Sequence, residues 1–256
     1  MRKSLKQIME EVDRPIGMFV NTACPEMVEI TGQTGFDFIF IDNEHGSWSG
    51  ETNAHLIRAA ETFDCVPLVR VPNINETSIK YALDSGAAGV VIPGVSSVED
   101  AKEAIKWAKF APDGKRGACP YVRANRYTGK SEHYFENSNR DVAVVLLIEG
   151  KAGVDAFEDI LDVEGVEFVF FGPYDLSVSL GIPGQLEDPR VKDAIKEMIK
   201  KAKAKGVYSG MLGVDPEDTL AWFDCGADYI VQVGDMSMYY RMCEKWVKGV
   251  KGAESK

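Results

Sequence analysis

Four times in this chain a helix-like stretch stops at a glycine and a β-rich run follows at once: Gly35-Phe-Asp-Phe-Ile, Gly86-Ala-Ala-Gly-Val, Gly165-Val-Glu-Phe-Val and Gly226-Ala-Asp-Tyr-Ile. Glycine enters the left-handed cap conformation without a Cβ clash, so each motif reads as one helix ending and one strand beginning. Helix starts are marked too, by Asn75 before Glu76 and by Asp215, Pro216 and Glu217. Strands are expected near residues 16–20, 36–41, 66–70, 89–92, 142–149, 167–171, 207–211 and 229–233. Helical patterns lie at 25–31, 52–63, 75–85, 97–109, 154–161, 189–205, 216–225 and 236–250. Strict alternation of this kind needs right-handed crossovers and produces a parallel sheet. Eight βα units in about 250 residues is the usual size of a closed barrel. An open doubly wound sheet is the alternative, but no Gly-x-Gly-x-x-Gly or Walker loop follows any strand. The expected fold class is therefore α/β, a single (β/α)8 TIM barrel domain over residues 1–256.

One region breaks the rhythm. Residues 110–141, between the fourth helix and the fifth strand, show no clear element. Residues 115–130 within it carry five basic groups and no acid. A loop this long inside a compact domain is usually functional or mobile. It reads equally as an anion-receiving lid and as a subunit contact or solvated loop.

Composition removes several function classes. The net charge of −11 argues against a nucleic-acid binder, whose affinity comes from basic surface. The longest apolar run, residues 142–148, is too short to span a bilayer, and the charged amino terminus lacks the apolar segment of a signal peptide. Five cysteines without a Cys-x-x-Cys pair suit reduced thiols in a cytoplasmic protein.

Chemistry gathers where the buried strands end. The run from Phe38 to Ile41 closes on Asp42, Glu44 and His45; later runs end at Arg70, at Glu149 and, past Gly172 and Pro173, at Asp175. In a barrel these groups converge on the carboxyl-terminal mouth. A bare carboxylate after the apolar run that precedes Glu149 is costly unless paired or metal-bound. Alone, Glu149 or Asp175 reads equally well as half of a salt bridge. Together, with no cysteine near, they suit a hard divalent ion, Mg2+ or Mn2+ before Co2+ or Zn2+. Arg70 offers a fork of donors for a carboxylate or developing enolate, or else a structural partner for Asp42 or Glu44. His45 is placed to act as a general base, whereas His55 and His133 lie outside this context. No strand ends in lysine, Lys151 being nearest, which leaves little for Schiff-base chemistry.

These blocks resemble the HpcH/HpaI aldolase/citrate lyase family. The resemblance is carried by residues 36–46 (Phe-Asp-Phe-Ile-Phe-Ile-Asp-Asn-Glu-His-Gly), 68–72 (Leu-Val-Arg-Val-Pro), 87–93 (Ala-Ala-Gly-Val-Val-Ile-Pro), 147–149 (Leu-Ile-Glu) and 170–177 (Phe-Phe-Gly-Pro-Tyr-Asp-Leu-Ser). Residues 115–117, 123–127 and 180–185 fit it as well, so nearly the whole chain is covered. The family contains metal-dependent (class II) pyruvate aldolases of 4-hydroxy-2-oxo acids and deoxy sugar acids. The resemblance implies a homo-oligomer, commonly a hexamer built as a trimer of dimers, with the last helix exchanged between subunits. It places the metal ligands on Glu149 and Asp175, the catalytic histidine on His45 and the arginine beside the pyruvyl oxygen on Arg70. Asp42 joins this catalytic set. Asp84, which otherwise reads as the solvated end of a helix, becomes the acidic partner of a neighbouring subunit's histidine. Backbone around Gly172, Pro173 and Asp175 would receive the carboxylate of a small 2-oxo acid substrate. Arg123, with Arg116 and Arg126, hints at a distal acidic or hydroxylated group. Leu147 and Gly150 depart from some relatives, leaving the aldehyde end open. An oxaloacetate decarboxylase or related lyase using the same enolate is the nearest alternative, and a non-catalytic metabolite-binding barrel the third.

Overall fold

The computed structural model describes residues 3–46 and 50–252. Eight strands, β1 (Ile16–Val20), β2 (Phe38–Asp42), β3 (Val66–Arg70), β4 (Gly89–Ile92), β5 (Ala143–Ile148), β6 (Phe168–Phe171), β7 (Tyr208–Gly213) and β8 (Tyr229–Gln232), close into a barrel in sequence order. Every neighbouring pair is parallel, including β8 with β1. All eight expected strands are present, with ends shifted by one or two residues.

The strands read as unbroken apolar runs because both faces are buried. Ile39 and Ile41 face the helical layer, while Phe38 and Phe40 point inward. Inside, Phe19, Phe40 and Phe170 meet edge to face at 5.4, 5.6 and 6.0 Å between ring centres. Each such ring contributes roughly 1.5–3 kcal/mol by leaving water. Large rings fit because a neighbouring strand supplies no side chain. A Cβ on Gly17 would lie 2.2 Å from the Phe38 ring, and one on Gly210 2.1 Å from that of Tyr229. The interior is therefore a packed core.

Twelve α-helices occur among the described residues, four more than the sequence pattern suggests. Helix α1 (Leu5–Glu11) precedes the barrel and starts with a capping box between Ser4 and Gln7. Its Leu5 and Ile8 are buried against Phe38, Val66, Ala143, Phe168 and Tyr229, stoppering the amino-terminal end of the barrel. Helices α2 (Pro25–Gln33), α3 (Gly50–Thr62), α4 (Glu76–Asp84) and α5 (Val98–Ala108) follow β1 to β4. The long connection is not structureless: it holds a 3-10 turn (Arg123–Asn125) and helix α6 (Tyr134–Asp141). The helix expected at 154–161 is two short ones, α7 (Lys151–Asp155) and α8 (Phe157–Leu161), parted at Ala156. A further short helix, α9 (Pro173–Ser179), opens directly after β6, and α10 (Pro189–Lys205), α11 (Pro216–Asp224) and α12 (Asp235–Lys251) complete the ring. No described helix is long and apolar enough to cross a membrane.

Candidate active site

Strand register builds the site. On β2 and β3, Asp42 lies opposite Arg70, the next inward positions above Phe40 and Leu68. The Arg70 guanidinium grips Asp42 with two bonds, Nε to Oδ1 at 2.9 Å and Nη2 to Oδ2 at 2.7 Å. Oδ1 also accepts the backbone N–H groups of Glu44 (3.1 Å) and His45 (3.3 Å), and Oδ2 accepts Asn21 Nδ2 at 2.8 Å. Burial pushes the Asp42 carboxyl up, but the Arg70 bonds and charge and the two amides overcome it, holding the group below its ordinary value. Asp42, expected among the catalytic groups, is thus fully buried with both oxygens engaged, and it fixes both Arg70 and the turn that carries His45. Arg70 also lies over the Phe19 ring at 4.9 Å, so the aromatic layer supports it from below.

Around this clamp stand three further acids. Glu44 Oε2 is 2.9 Å from Arg70 Nη1 and 4.0 Å from His45 Nε2. Arg70 holds the buried Oε2 as an ion pair, and no hydrogen bond to that oxygen is made. His45 is exposed at the rim. Glu149 follows β5, where the register of Leu147 with Phe170 carries it alongside Gly172. Its Oε1 accepts the Gly94 N–H at 2.7 Å. A Cβ on Gly172 would lie 2.7 Å from Glu149 Cβ and 2.9 Å from Oε2, so the glycine keeps room beside the second oxygen. Burial first, then the charges of Glu44 and Asp175, push the Glu149 carboxyl up to about 7, against the opposing Gly94 bond and Arg70 charge. Glu44 is likewise raised, by burial and by Asp42 and Asp175, with Arg70 and His45 opposing. Asp175 is exposed in the first turn of α9, where Gly172 is the N-cap and no side chain caps the helix. The groups expected at the mouth do converge, and among the described residues four carboxylates, Asp42, Glu44, Glu149 and Asp175, face the one guanidinium of Arg70.

A divalent ion fits this donor set. Oxygen ligands dominate, one Glu149 oxygen is held by the backbone while the other has space beside Gly172, and a Glu44 oxygen makes no hydrogen bond. Among the described residues no three acidic, histidine or cysteine side chains come close enough to ligate one ion together. Two protein ligands suit Mg2+ or Mn2+, which keep several waters.

The raised Glu149 carboxyl has a measurable sign. Folding tightens its grip on the proton, so it contributes stability below its ordinary value of 4.5 that is lost as pH rises through about 7. In metal-free protein, E149Q is expected to raise Tm by a few degrees at pH 8.5, where roughly 2–4 °C corresponds to 1 kcal/mol. It should leave Tm unchanged at pH 4.5. Differential scanning calorimetry in EDTA is the check, and equal Tm at both pH values would contradict the placement.

Arg123 was expected to bind substrate, but it pairs with Glu61 and donates to the Ser85 carbonyl at 3.2 Å. Glu61 and Ser85 close α3 and α4, at the end of the barrel opposite its mouth. Arg116 is also committed, its buried guanidinium 2.7 Å from Asp84 and 4.5 Å over the Phe110 ring. The basic stretch is therefore not a lid on its own chain's mouth. It packs at the far end, tied by buried Lys109, whose Nζ donates to the Asn139 and Val142 carbonyls at 2.6 Å each. Asp84, read from the residues as solvated, is mostly buried in this pairing. Its place at the end of α4 puts it across the barrel from its own His45. Lys151 is a rim charge paired with Asp155. Sequence reasoning singled out Gly94 and Asn21 for nothing, and only the closed barrel reveals them as supports of Glu149 and Asp42.

A closed parallel barrel with acids, an arginine and a histidine at its carboxyl-terminal mouth defines a (β/α)8 enzyme acting on a small anionic molecule. The chain belongs to the HpcH/HpaI aldolase/citrate lyase family, whose model matches residues 15–240. It is similar to a 2-keto-3-deoxy-L-rhamnonate aldolase of Salmonella gallinarum (strain 287/91 / NCTC 13346), 30% identical over 98% of this chain and 94% of the relative. Among solved structures, an HpcH/HpaI aldolase/citrate lyase family protein from Burkholderia cenocepacia J2315 matches with a TM-score of 0.91 and 30% identity, covering 96% of this chain and 98% of that one. Citrate synthase SbnG matches with a TM-score of 0.88 and 32% identity, covering 97% and 98%. The protein is an enzyme of the carbon–carbon lyase class.

Proposed function

We propose that this single-domain barrel cleaves, reversibly, a 4-hydroxy-2-oxo acid or 2-keto-3-deoxy sugar acid to pyruvate and an aldehyde. The observation that carries the reading is Glu149, a largely buried carboxylate near the charges of Glu44 and Asp175, with one oxygen held by Gly94 and the other spared a Cβ contact because residue 172 is glycine. Glu149 and Asp175 would hold a divalent ion, Mg2+ or Mn2+ by its oxygen donors, with Co2+ and Zn2+ as substitutes. When bound, the ion supplies Lewis-acid stabilisation of the negative charge formed as the C3–C4 bond breaks. Arg70, kept rigid by Asp42 and Phe19, turns its remaining donors toward that charge. Backbone N–H groups opening α9 after Gly172 and Pro173 orient the substrate carboxylate. His45 takes the proton from the 4-hydroxyl.

The same reading extends to assembly. Only Asp235 of α12 is buried, while Met236, Tyr239, Tyr240, Met242, Trp246 and Val250 are more than half exposed. A helix so apolar on its open face suits burial against another copy. A trimer of dimers with α12 exchanged would provide that burial, and would let Asp84 of one copy approach His45 of the next. A solution mass near six chains is the expected result; a monomer would remove both ideas.

Whether the second product is neutral or acidic turns on Arg116, which lies 2.7 Å from Asp84 and would come with it to a neighbouring copy's mouth. Pyruvate release coupled to lactate dehydrogenase, with 2-keto-3-deoxy-L-rhamnonate against analogues ending in carboxylate, tests this. Oxaloacetate belongs in the same panel. The 32% identity to a citrate synthase keeps an oxaloacetate-using lyase as the second reading. Turnover of oxaloacetate alone would select it.

A further inference from the structure

Arg70 is aimed by more than Asp42 alone. The register of Val20 with Ile41 sets Asn21 beside Asp42, just past the Phe19 ring that supports the guanidinium. Asn21 Nδ2 donates to Asp42 Oδ2 at 2.8 Å, the same oxygen that receives Arg70 Nη2 at 2.7 Å. What holds Asn21 comes from the other end of the chain. β8 leads through Gly234 into α12, whose first residue, Asp235, is buried. Asp235 Oδ1 accepts the Asn21 N–H at 2.9 Å and the Met236 N–H at 2.8 Å. Its Oδ2 accepts the Thr22 N–H at 3.2 Å and the Thr22 hydroxyl. One of these bonds stays within α12; the others hold the turn after β1. Gly234 adds a seat for the side chain: its φ is +123°, and a Cβ on it would lie 2.3 Å from Asn21 Oδ1.

Resting on the proposed reaction, we propose that Asp235 is a positioning residue for Arg70: it holds the turn after β1 so that Asn21 keeps Asp42, and with it the Arg70 fork, in line. The link is an unbroken run of hydrogen bonds from Asp235 to Asn21, Asp42 and Arg70. Asp42 Oδ1 also receives the amides of Glu44 and His45, so a carboxylate that turns to follow a slack Asn21 disturbs both the fork and the turn carrying His45. Among the described residues the Asp235 carboxylate itself bonds only to Asn21, Thr22 and Met236. Any effect of Asp235 on the mouth must therefore pass through the turn after β1. A misplacement of about 1 Å in a group that meets developing charge can cost about 100-fold in rate.

D235N keeps the size of the side chain, but whichever oxygen becomes the amide nitrogen then faces a backbone N–H. Hydrogen–deuterium exchange of the full-length protein, with no substrate present, is read at the amides of Glu44 and His45. Exchange there is expected to quicken about fivefold. Faster exchange confined to residues 21–24 and α12 marks a local cap and overturns the proposal, as does no change at all. In turnover, kcat for pyruvate release should fall about tenfold with KM changed less than about twofold, since Arg70 acts on charge that develops in the transition state. An unaltered kcat overturns the proposal even where exchange quickens. N21A cuts the same link, leaves the head of α12 whole and stands in should D235N not fold. Alone it should lower kcat about tenfold; added to R70K, which has no fork to aim, it should lower kcat by less than about twofold. Equal losses in the two backgrounds overturn the proposal. If the unaltered protein releases pyruvate from no acid of the panel, the proposed reaction falls, and the exchange reading, which needs no substrate, still decides the link.

Discussion

E149Q is expected to lower kcat/KM for pyruvate release by about 10^3-fold or more, at any metal concentration short of forcing occupancy. Lewis-acid stabilisation of a developing enolate is worth several kcal/mol, and about 4 kcal/mol corresponds to that factor. Glu149 is the sharper choice over exposed Asp175 because its position is over-determined. Register sets it beside Gly172, Gly94 holds Oε1, and burial makes its charge expensive unless a cation balances it. Glutamine preserves the Gly94 contact through its carbonyl, so the loss should appear in catalysis and metal affinity while the fold persists. D175N should show the same direction. Near-normal turnover by E149Q after treatment with a chelator would remove the metal from the mechanism.

R70A should be the most destabilising single change at the mouth, by about 3–5 kcal/mol, with activity lost as well. Asp42 is wholly buried, and removing the guanidinium strips it of two charge-assisted bonds while leaving its charge. R70K restores the charge but not the two-pronged fork, so it should recover part of the stability and little of the activity. The double variant D42L/R70M should recover only partly as well, because Asn21 and the amides of Glu44 and His45 lose their acceptor. Urea unfolding with an unchanged m-value is the measurement. A midpoint for R70A within error of the parent would show that the buried pair is not what holds this end of β2 and β3 together.

Most of the barrel was readable because its signals are local. Gly35, Gly86, Gly165 and Gly226 all take positive φ at the helix ends where the sequence places them, and the apolar runs of β2 and β5 stop where the acids begin. Helix α1 escaped notice although Ser4 and Gln7 spell a capping box, because seven residues among charges show little periodicity. The committed pairings were not readable. Nothing in the order of residues says that Arg123 meets Glu61 or that Arg116 meets Asp84, since both contacts form across separate helices and the long connection. For the same reason the basic stretch reads equally as a lid and as a subunit contact or solvated loop. The missing hydrogen bond at Glu44 is a property of packing alone.

The stopper formed by Leu5 and Ile8 makes the barrel a blind alley, so traffic through it must queue. In the proposed reaction the oxo-acid half would sit over the aromatic layer that carries Arg70, with the aldehyde half nearer solvent. Whatever is parked deepest leaves last: aldehyde first, pyruvate second. Pyruvate should then compete with substrate in product-inhibition plots, whereas the aldehyde should not, and the reverse pattern would mean the two halves are seated the other way round.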